Sequence, residues 1–380
     1  MFVARLGLVA CLALGLQAIG WAATAANLPA LGAPHVRTGL GPSAVVLDVP
    51  RATAYVANLL SGTVTVVDLR HCSTTDTRGC PSAAVASITV GTAPDGLGVD
   101  GTRQTLYVAN SGDGTVSVVD VRHCRAGDTA GCRQRAVTAK VGNAPADVAI
   151  DSARATAYVS DTGANSLSVL DLRHCHAGDV SGCNAAPASV SVGSLPAQPA
   201  FDPDTLTVYV TLLGEGKVAV VDARRCFAAD HDGCSQPEAK VSVGLLPSGI
   251  TVVSGTRTAY VANDGSGTVS VLDLRTCDAG QTSGCAHAAA SVRAGLAPDG
   301  IAVDPLAQVL YATDQATATV SRVSTSSCRA GVITGCKATP SRVRVGLVPF
   351  SVAANPATAT AYVANAGSSK LSVIGPARSR

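Results

Sequence analysis

Asparagine and aspartate side chains recur at two fixed positions of this sequence, and they are its clearest candidates for chemistry. One set lies three residues after a tyrosine and comprises Asn58, Asn110, Asp161, Asn263, Asp314 and Asn365. The other set follows a proline by one or two residues and comprises Asp95, Asp147 and Asp299. Carboxylate and amide oxygens are the ligands that hard cations prefer, and they also bind polar organic molecules. We therefore expect any ligand site to draw on these nine residues.

The same residues also have a structural interpretation. Asn and Asp at strand ends form hydrogen bonds to turn backbone, and that role predicts their recurrence in nearly every repeat. A reaction centre needs one constellation, so repetition favours the structural role and we assign no catalytic residue. Few residues break the pattern: Glu215 lies in a turn beside Leu212, and Gln198 and Phe201 belong to the same repeat. We interpret Glu215 as a solvated loop carboxylate.

Two further patterns suggest chemistry but have simpler explanations. His71, His123 and His174 each precede a cysteine, yet they belong to different repeats and are expected to lie too far apart to share a metal ion. A pair of Asp and Arg two residues apart, such as Asp68 and Arg70, recurs in five repeats. Because residues two apart lie on the same face of a strand, we expect an exposed ion pair that contributes little to stability. The sequence contains no nucleophile elbow, phosphate loop or haem-attachment motif.

Twelve of the thirteen cysteines form six pairs with one spacing. The pairs are Cys72 and Cys80, Cys124 and Cys132, Cys175 and Cys183, Cys226 and Cys234, Cys277 and Cys285, and Cys328 and Cys336. Paired zinc ligands are usually separated by two to four residues and four must come together, so this spacing argues against zinc. We predict six local disulfides.

The elements that position these residues come from a repeat. The seven tyrosines fall at Tyr55, Tyr107, Tyr158, Tyr209, Tyr260, Tyr311 and Tyr362, and a proline lies 13 residues before each: Pro42, Pro94, Pro145, Pro196, Pro247, Pro298 and Pro349. Fixed periods of this size are typical of solenoids and propellers. Each unit contains four short segments rich in β-branched residues and no helical pattern, which favours a propeller blade over a β-solenoid.

Turn residues support the same interpretation. The connection between the second and third strands carries Gly62, Gly114, Asn165, Gly216 and Gly267 at one register, and these residue types tolerate positive φ. Ala318 and Ser369 occupy that register in the last two units, so we expect turns of another type there.

The missing strand of the last unit appears at the other end of the sequence. The segment from Val36 to Gly39 lies just before Pro42, in the same position that the fourth strand of each earlier unit occupies before the next proline. We therefore predict an all-β, seven-bladed β-propeller of four-stranded antiparallel blades, closed by the N-terminal strand. The expected boundaries are a signal peptide at 1–25, a linker at 26–33, the propeller at 34–376 and a tail at 377–380. Within the propeller, we expect blades 1 to 6 at 42–91, 94–142, 145–193, 196–244, 247–295 and 298–346. Blade 7 should combine residues 349–376 with its fourth strand at 34–39.

The first residues have the features of a secretory signal. Arg5 is followed by an apolar run over residues 6–19 and small residues at 23–25. A lipoprotein cleavage box ending at Cys11 is an alternative, but only three apolar residues would separate it from Arg5. No later segment is long enough to span a membrane. We expect an exported protein in the periplasm or outside the cell.

The motif Tyr107-Val-Ala-Asn110, followed by Gly-Thr-Val-Ser-Val, recurs from Tyr260 to Asn263. The chain thus resembles the YVTN-type β-propeller repeat of exported bacterial and surface-layer proteins, over residues 34 to 375. This resemblance implies ligand binding near the central channel, on the face that bears the second-to-third and fourth-to-first connections. The wider superfamily includes lactonase-like enzymes and dehydrogenase subunits, and the cysteine loop is an insertion relative to its repeat.

Composition narrows the choice of partners. A net charge of +2, 3% aromatic residues and no Lys/Arg run give no footprint for nucleic acid. We interpret the chain as a noncatalytic binding or protein-interaction scaffold, monomeric, without a cofactor, for an unknown protein or a small polar ligand. One alternative is a lactonase-like hydrolase or lyase with a channel metal; another is a structural protein of a cell-surface layer.

Overall fold

A computed structural model describes residues 33–235, 239–286, 288 and 290–376 of the protein. The predicted signal peptide, the tail at 377–380 and all of the predicted linker except residue 33 lie outside this part of the chain. Within it, no helix has the length and apolar character needed to cross a membrane.

Seven separate four-stranded antiparallel sheets follow one another along the chain. Blade 1 contains β2 (Pro42–Asp48), β3 (Thr53–Asn58), β4 (Thr63–Asp68) and β5 (Ala84–Thr89). Blade 2 contains β6 (Pro94–Asp100), β7 (Thr105–Asn110), β8 (Thr115–Asp120) and β9 (Val137–Lys140). Blade 3 contains β10 (Pro145–Asp151), β11 (Thr156–Asp161), β12 (Ser166–Asp171) and β13 (Ala188–Ser191). Blade 4 contains β14 (Pro196–Asp202), β15 (Thr207–Leu212), β16 (Lys217–Asp222) and β17 (Ala239–Ser242).

The remaining blades repeat the same order. Blade 5 contains β18 (Pro247–Val253), β19 (Thr258–Asn263), β20 (Thr268–Asp273) and β21 (Ala290–Arg293). Blade 6 contains β22 (Pro298–Asp304), β23 (Val309–Asp314), β24 (Thr319–Ser324) and β25 (Ser341–Arg344). Blade 7 contains β26 (Pro349–Asn355), β27 (Thr360–Asn365), β28 (Lys370–Ile374) and β1 (His35–Arg37). Short 3-10 turns lie at Val49–Arg51, Cys80–Ser82, Ser254–Thr256, Asp264–Ser266, Thr334–Lys337 and Ala366–Ser368.

Ring closure is visible in the last blade. Strand β1 pairs antiparallel with β28, and Val36 faces Leu371. The Val36 side chain is completely buried among residues of blades 7 and 1. The predicted seven-bladed propeller, closed by the N-terminal strand, is therefore confirmed.

The core consists of apolar layers between adjacent blades. The second strand of each blade is the most buried because neighbouring blades cover both of its faces. Small and β-branched side chains fill these layers, and each layer contains one fully buried tyrosine, as Tyr55 shows between blades 1 and 2. Such side chains suit a pleated surface that is packed on both sides.

One prediction about turns is wrong. Ala318 and Ser369 have φ values of 53° and 50°, close to the 62° of Gly114 at the same register. All seven blades thus use a left-handed residue at this position, although the conformation disfavours Ala and Ser. The hairpin pairing and the hydrogen bond from the Val345 N–H to the Ala318 carbonyl fix the backbone there. Tertiary contacts therefore override local preference.

The six predicted disulfides are present, with Cα–Cα distances of 4.6 to 4.8 Å. Each disulfide loop docks on the preceding blade: the Tyr107 hydroxyl donates to the Cys175 carbonyl at 2.9 Å, and the Ala177 N–H donates to Thr105 Oγ1 at 2.9 Å. Six tyrosines make this bond, at 2.7 to 2.9 Å. Each loop therefore ties one blade to its predecessor.

Candidate ligand site at the channel mouth

A cavity of about 230 Å³ lies where the first strands of all seven blades converge. Its lining comes from positions one to four residues after the prolines, at the end of the ring that bears the fourth-to-first connections. Every first strand also has a register shift just after its proline, as between Pro145 and Val148. Such bulges re-aim side chains, and here they bring residues next to the prolines to the cavity.

Glycines allow the first strands to approach one another at the cavity. A Cβ on Gly96 would lie 2.4 Å from the Ala146 carbonyl oxygen, and one on Gly300 would lie 2.1 Å from the Phe350 carbonyl oxygen. Real Cβ atoms do not approach backbone this closely, so only glycine fits between these blades. The side chains of the cavity lining therefore come from the remaining positions near the start of the first strands.

Asp147 and Gln198 form a hydrogen-bonded chain across four blades. Asp147 Oδ1 accepts from the Leu97 N–H of blade 2 at 3.1 Å, and Gln198 Nε2 donates to Asp147 Oδ2 at 2.7 Å. Gln198 Oε1 then accepts from the Ile250 N–H of blade 5 at 2.7 Å. Because these bonds fix both side chains, the cavity wall on this side is preorganised.

Two more carboxylates line the cavity. Asp299 is almost fully buried and accepts from Gln315 Nε2 at 2.7 Å, and Asp95 is half-buried. On the opposite wall, Ser351 Oγ accepts from the Val45 N–H of the next blade at 3.3 Å. The charged groups that the described residues contribute to the lining are all acidic, with no lysine, arginine or histidine among them.

The other six predicted site residues lie elsewhere, each inside its own blade. Asn110 is representative: its Nδ2 donates to Thr115 Oγ1 at 3.0 Å and to Ser117 Oγ at 2.9 Å, and its Oδ1 accepts from the Gly91 N–H at 3.2 Å. All six side chains are fully buried: Asn58, Asn110, Asp161, Asn263, Asp314 and Asn365. They join the second-to-third turn to neighbouring backbone and do not line the cavity. Ligand binding therefore remains a proposal for Asp95, Asp147 and Asp299 alone.

Sequence reasoning noticed Gln198 only as a departure from the repeat and did not include it among the site residues. Its signal is the register: two residues after the proline, the blades carry Gly96, Gly249 and Gly300, whereas blades 3 and 4 carry Asp147 and Gln198. Neighbouring blades 3 and 4 thus carry larger polar side chains at a position where the other blades carry only Gly, Ala or Ser. Because the fold does not require these two residues, they indicate a specific function at this position.

The remaining candidates have local partners. Glu215 Oε2 forms an ion pair with Lys240 Nζ at 3.0 Å and does not line the cavity. The imidazoles of His123 and His174 lie 2.8 and 3.1 Å from aspartates of their own loops. No group of three or more His, Cys, Asp or Glu residues in the described part of the chain is arranged to hold a metal ion.

The Asp–Arg pairs form as predicted, and they also contact the next blade. Arg173 Nε donates to Asp171 Oδ1 at 2.9 Å, while a terminal nitrogen donates to the Ala228 carbonyl in the following disulfide loop at 2.9 Å. Hydrogen bonding to Arg70 lowers the pKa of the equivalent Asp68 in blade 1. Because the pairs are solvent-exposed, their main effect is to orient the arginine.

Comparison with known proteins identifies the fold only. No protein-family model matches this sequence, and no curated protein matches it. Among solved structures, one similar chain is the Kuenenia stuttgartiensis hydrazine synthase, with 20% sequence identity, a TM-score of 0.67, and coverage of 91% of this chain and 98% of that one. At this identity the similarity shows a shared propeller architecture and transfers no activity.

Proposed function

We propose that this protein is an exported, noncatalytic YVTN-type β-propeller that binds a small cationic ligand at the channel mouth. One observation carries the proposal: unlike polar side chains from different blades converge on a single preorganised cavity. Asp95, Asp147 and Asp299 supply acceptors for ammonium or guanidinium groups, and Gln198 orients one of them. A volume of about 230 Å³ suits a small organic ligand or part of a side chain.

Two features support a binding role over a catalytic one. Among the described residues that line the cavity, the only hydroxyls are those of Ser43 and Ser351, and no cysteine, histidine or lysine lies there to act as nucleophile or to activate a serine. The glycine-rich, hydrogen-bonded wall is fixed, as expected for a recognition site. The six disulfides further indicate folding in an oxidising environment, which supports export together with the signal-like N-terminal sequence.

The hydrolase alternative depends on the same carboxylates. No three of the described acidic side chains are arranged to hold a metal ion together, so a divalent ion here would take one or two of them and complete its ligands with water or substrate. A lactonase-like enzyme would use that ion to polarise its substrate. Calcium binding with one ion per protein, together with hydrolysis of a lactone, would favour this alternative over the scaffold.

Isothermal titration calorimetry of protein lacking residues 1–25 tests the proposal. The probes are putrescine and arginine amide, with glycerol as a neutral comparison and calcium chloride as the metal. We expect the amines to bind and glycerol not to bind, and Asp147→Asn to weaken amine binding at least tenfold, on the order of the loss of one charge-assisted hydrogen bond.

Asp204→Asn is the matched control, because Asp204 is an exposed carboxylate outside the cavity. Its amine affinity should equal that of the wild type. Absence of binding for both amines, or equal losses in the Asp147 and Asp204 variants, would contradict a cationic-ligand site in the cavity.

A further inference from the structure

Exposed leucines occupy one half of the channel-mouth face. Four consecutive fourth-to-first connections carry a leucine two residues before the proline, with exposures of 66%, 69%, 61% and 60%: Leu245, Leu296, Leu347 and Leu40. Leu246 and Leu60 extend the same arc with exposures of 48% and 55%. We call these six residues the leucine crescent. An arc of exposed large apolar side chains on neighbouring loops marks a candidate interaction site.

The other half of the face is polar at the same loop position. The three remaining connections carry Thr92, Asn143 and Ser194 there. Six of the seven loops share one backbone conformation, with a positive φ at the residue before the proline, as at Leu246 and Val348. The loop of Leu296 departs from it, because Ala297 has no positive φ. Equivalent positions of a closed ring lie at the same end of its axis, so all four leucines protrude on the channel-mouth face. The difference between the halves is therefore one of side-chain chemistry.

Arginines border the crescent. Strands β1, β21 and β25 end at Arg37, Arg293 and Arg344, each exposed and each three residues before a crescent leucine. The nearby acidic residues are less exposed: Asp264 is half-buried and Asp314 is fully buried. The surface thus combines protruding apolar tips with an outer row of cations.

Such a surface fits a partner that is anionic, flat and apolar beneath its charged surface. The leucines stand on separate loop tips of neighbouring blades, an arrangement that differs from the continuous apolar groove that a peptide or helix occupies. A second copy of the chain would bring the same arginines face to face. An anionic lipid surface meets all three requirements, because its interface accepts shallow apolar insertions and its headgroups pair with Arg.

We propose that the leucine crescent and its three arginines dock the propeller on an anionic lipid surface. The contact is peripheral: the leucine tips enter the interface and the arginines contact headgroup phosphates. Since only one half of the face is apolar, the polar half stays in water and the channel mouth remains open to ligand on that side. This inference goes beyond the proposed ligand binding and is independent of it.

Cosedimentation with vesicles tests the inference, using phosphatidylcholine vesicles with or without phosphatidylglycerol. We expect binding only to the anionic vesicles, decreasing as salt rises. The double change Leu296→Ser and Leu347→Ser should lower the partition coefficient at least tenfold. Arg293→Gln with Arg344→Gln should weaken binding and flatten its salt dependence.

Leu306→Ser provides the matched control, because Leu306 is 76% exposed but lies in the first-to-second turn, on the opposite face of the ring. It should bind vesicles like the wild type, and so should Asp147→Asn, which alters only the cavity. Unchanged far-ultraviolet circular dichroism and melting temperature establish that each variant is folded. Equal binding to both vesicle types, no binding, or full binding by the crescent variant would overturn the proposal and favour a protein partner for the crescent.

Discussion

At the scale of single residues, Asp161 is a buried carboxylate at a position where most blades have a neutral asparagine. It occupies a fully buried position that is asparagine in four other blades. Ser168 Oγ and Ser166 Oγ donate to its carboxylate at 2.7 and 3.3 Å, but desolvation by burial dominates and raises its pKa to about 6. The charged form therefore destabilises the folded protein relative to the protonated form.

We predict that Asp161→Asn removes a pH-dependent loss of stability. The folded-state pKa is raised above the unfolded value of 3.8, so the protonated carboxyl contributes full stability below that value and the contribution is lost as pH rises through about 6. At pH 8 the variant should be about 3 kcal/mol more stable than the wild type, whereas at pH 3.5 the two should be nearly equal.

Urea unfolding at the two pH values measures this difference. Asn110→Asp is the reciprocal control, because Asn110 makes the equivalent hydrogen bonds in blade 2. It should acquire the loss of stability at high pH. Equal stabilities of Asp161→Asn and wild type at pH 8 would contradict the assigned cause.

At the scale of elements, the hydrogen bond from a blade's tyrosine hydroxyl to the disulfide loop of the next blade is absent at one of the seven blade interfaces described, between blades 6 and 7. Blade 7 has no such loop, and the buried Tyr311 hydroxyl of blade 6 has no hydrogen-bond partner among the described residues. Blade 6 also carries Val309 where Thr105 and its five other equivalents accept a loop N–H. Blade 6 therefore lacks the threonine hydroxyl that, in the other blades, accepts a hydrogen bond from the disulfide loop of the next blade.

We predict that Tyr107→Phe costs about 1–2 kcal/mol of folding stability, because it removes the hydrogen bond to the Cys175 carbonyl. Tyr311→Phe is the matched control and should change stability by less than about 0.5 kcal/mol, since no described residue pairs with its hydroxyl. Chemical denaturation of both variants measures the difference. Similar losses for the two would show that the hydroxyl-to-loop bond does not stabilise the blade interface.

At the scale of the whole molecule, stability depends on a three-residue strand. His35–Arg37 completes blade 7, and buried Val36 packs against both blades at the closure. An open ring would expose the edge of β28 and the apolar surface of blade 1.

We predict that deletion of residues 1–39 lowers the melting temperature by more than about 10 °C relative to deletion of residues 1–32, which retains β1. Loss of three backbone pairings and of the Val36 contacts is the reason. Differential scanning calorimetry measures the effect. Equal melting temperatures for the two proteins would contradict a closing role for the strand.

The sequence by itself determined the number of blades, the four strands of each, the six disulfides and the closing strand. These features follow from local spacing, because tyrosine, proline, glycine and cysteine each keep a fixed register from blade to blade. The sequence could not separate the two sets of polar residues: Asn110 and Asp147 follow similar repeat rules, yet one is enclosed in its blade and the other lines the cavity. Only the tertiary structure decided this, because it depends on a bulge at the start of each first strand and on the convergence of seven distant segments around one axis.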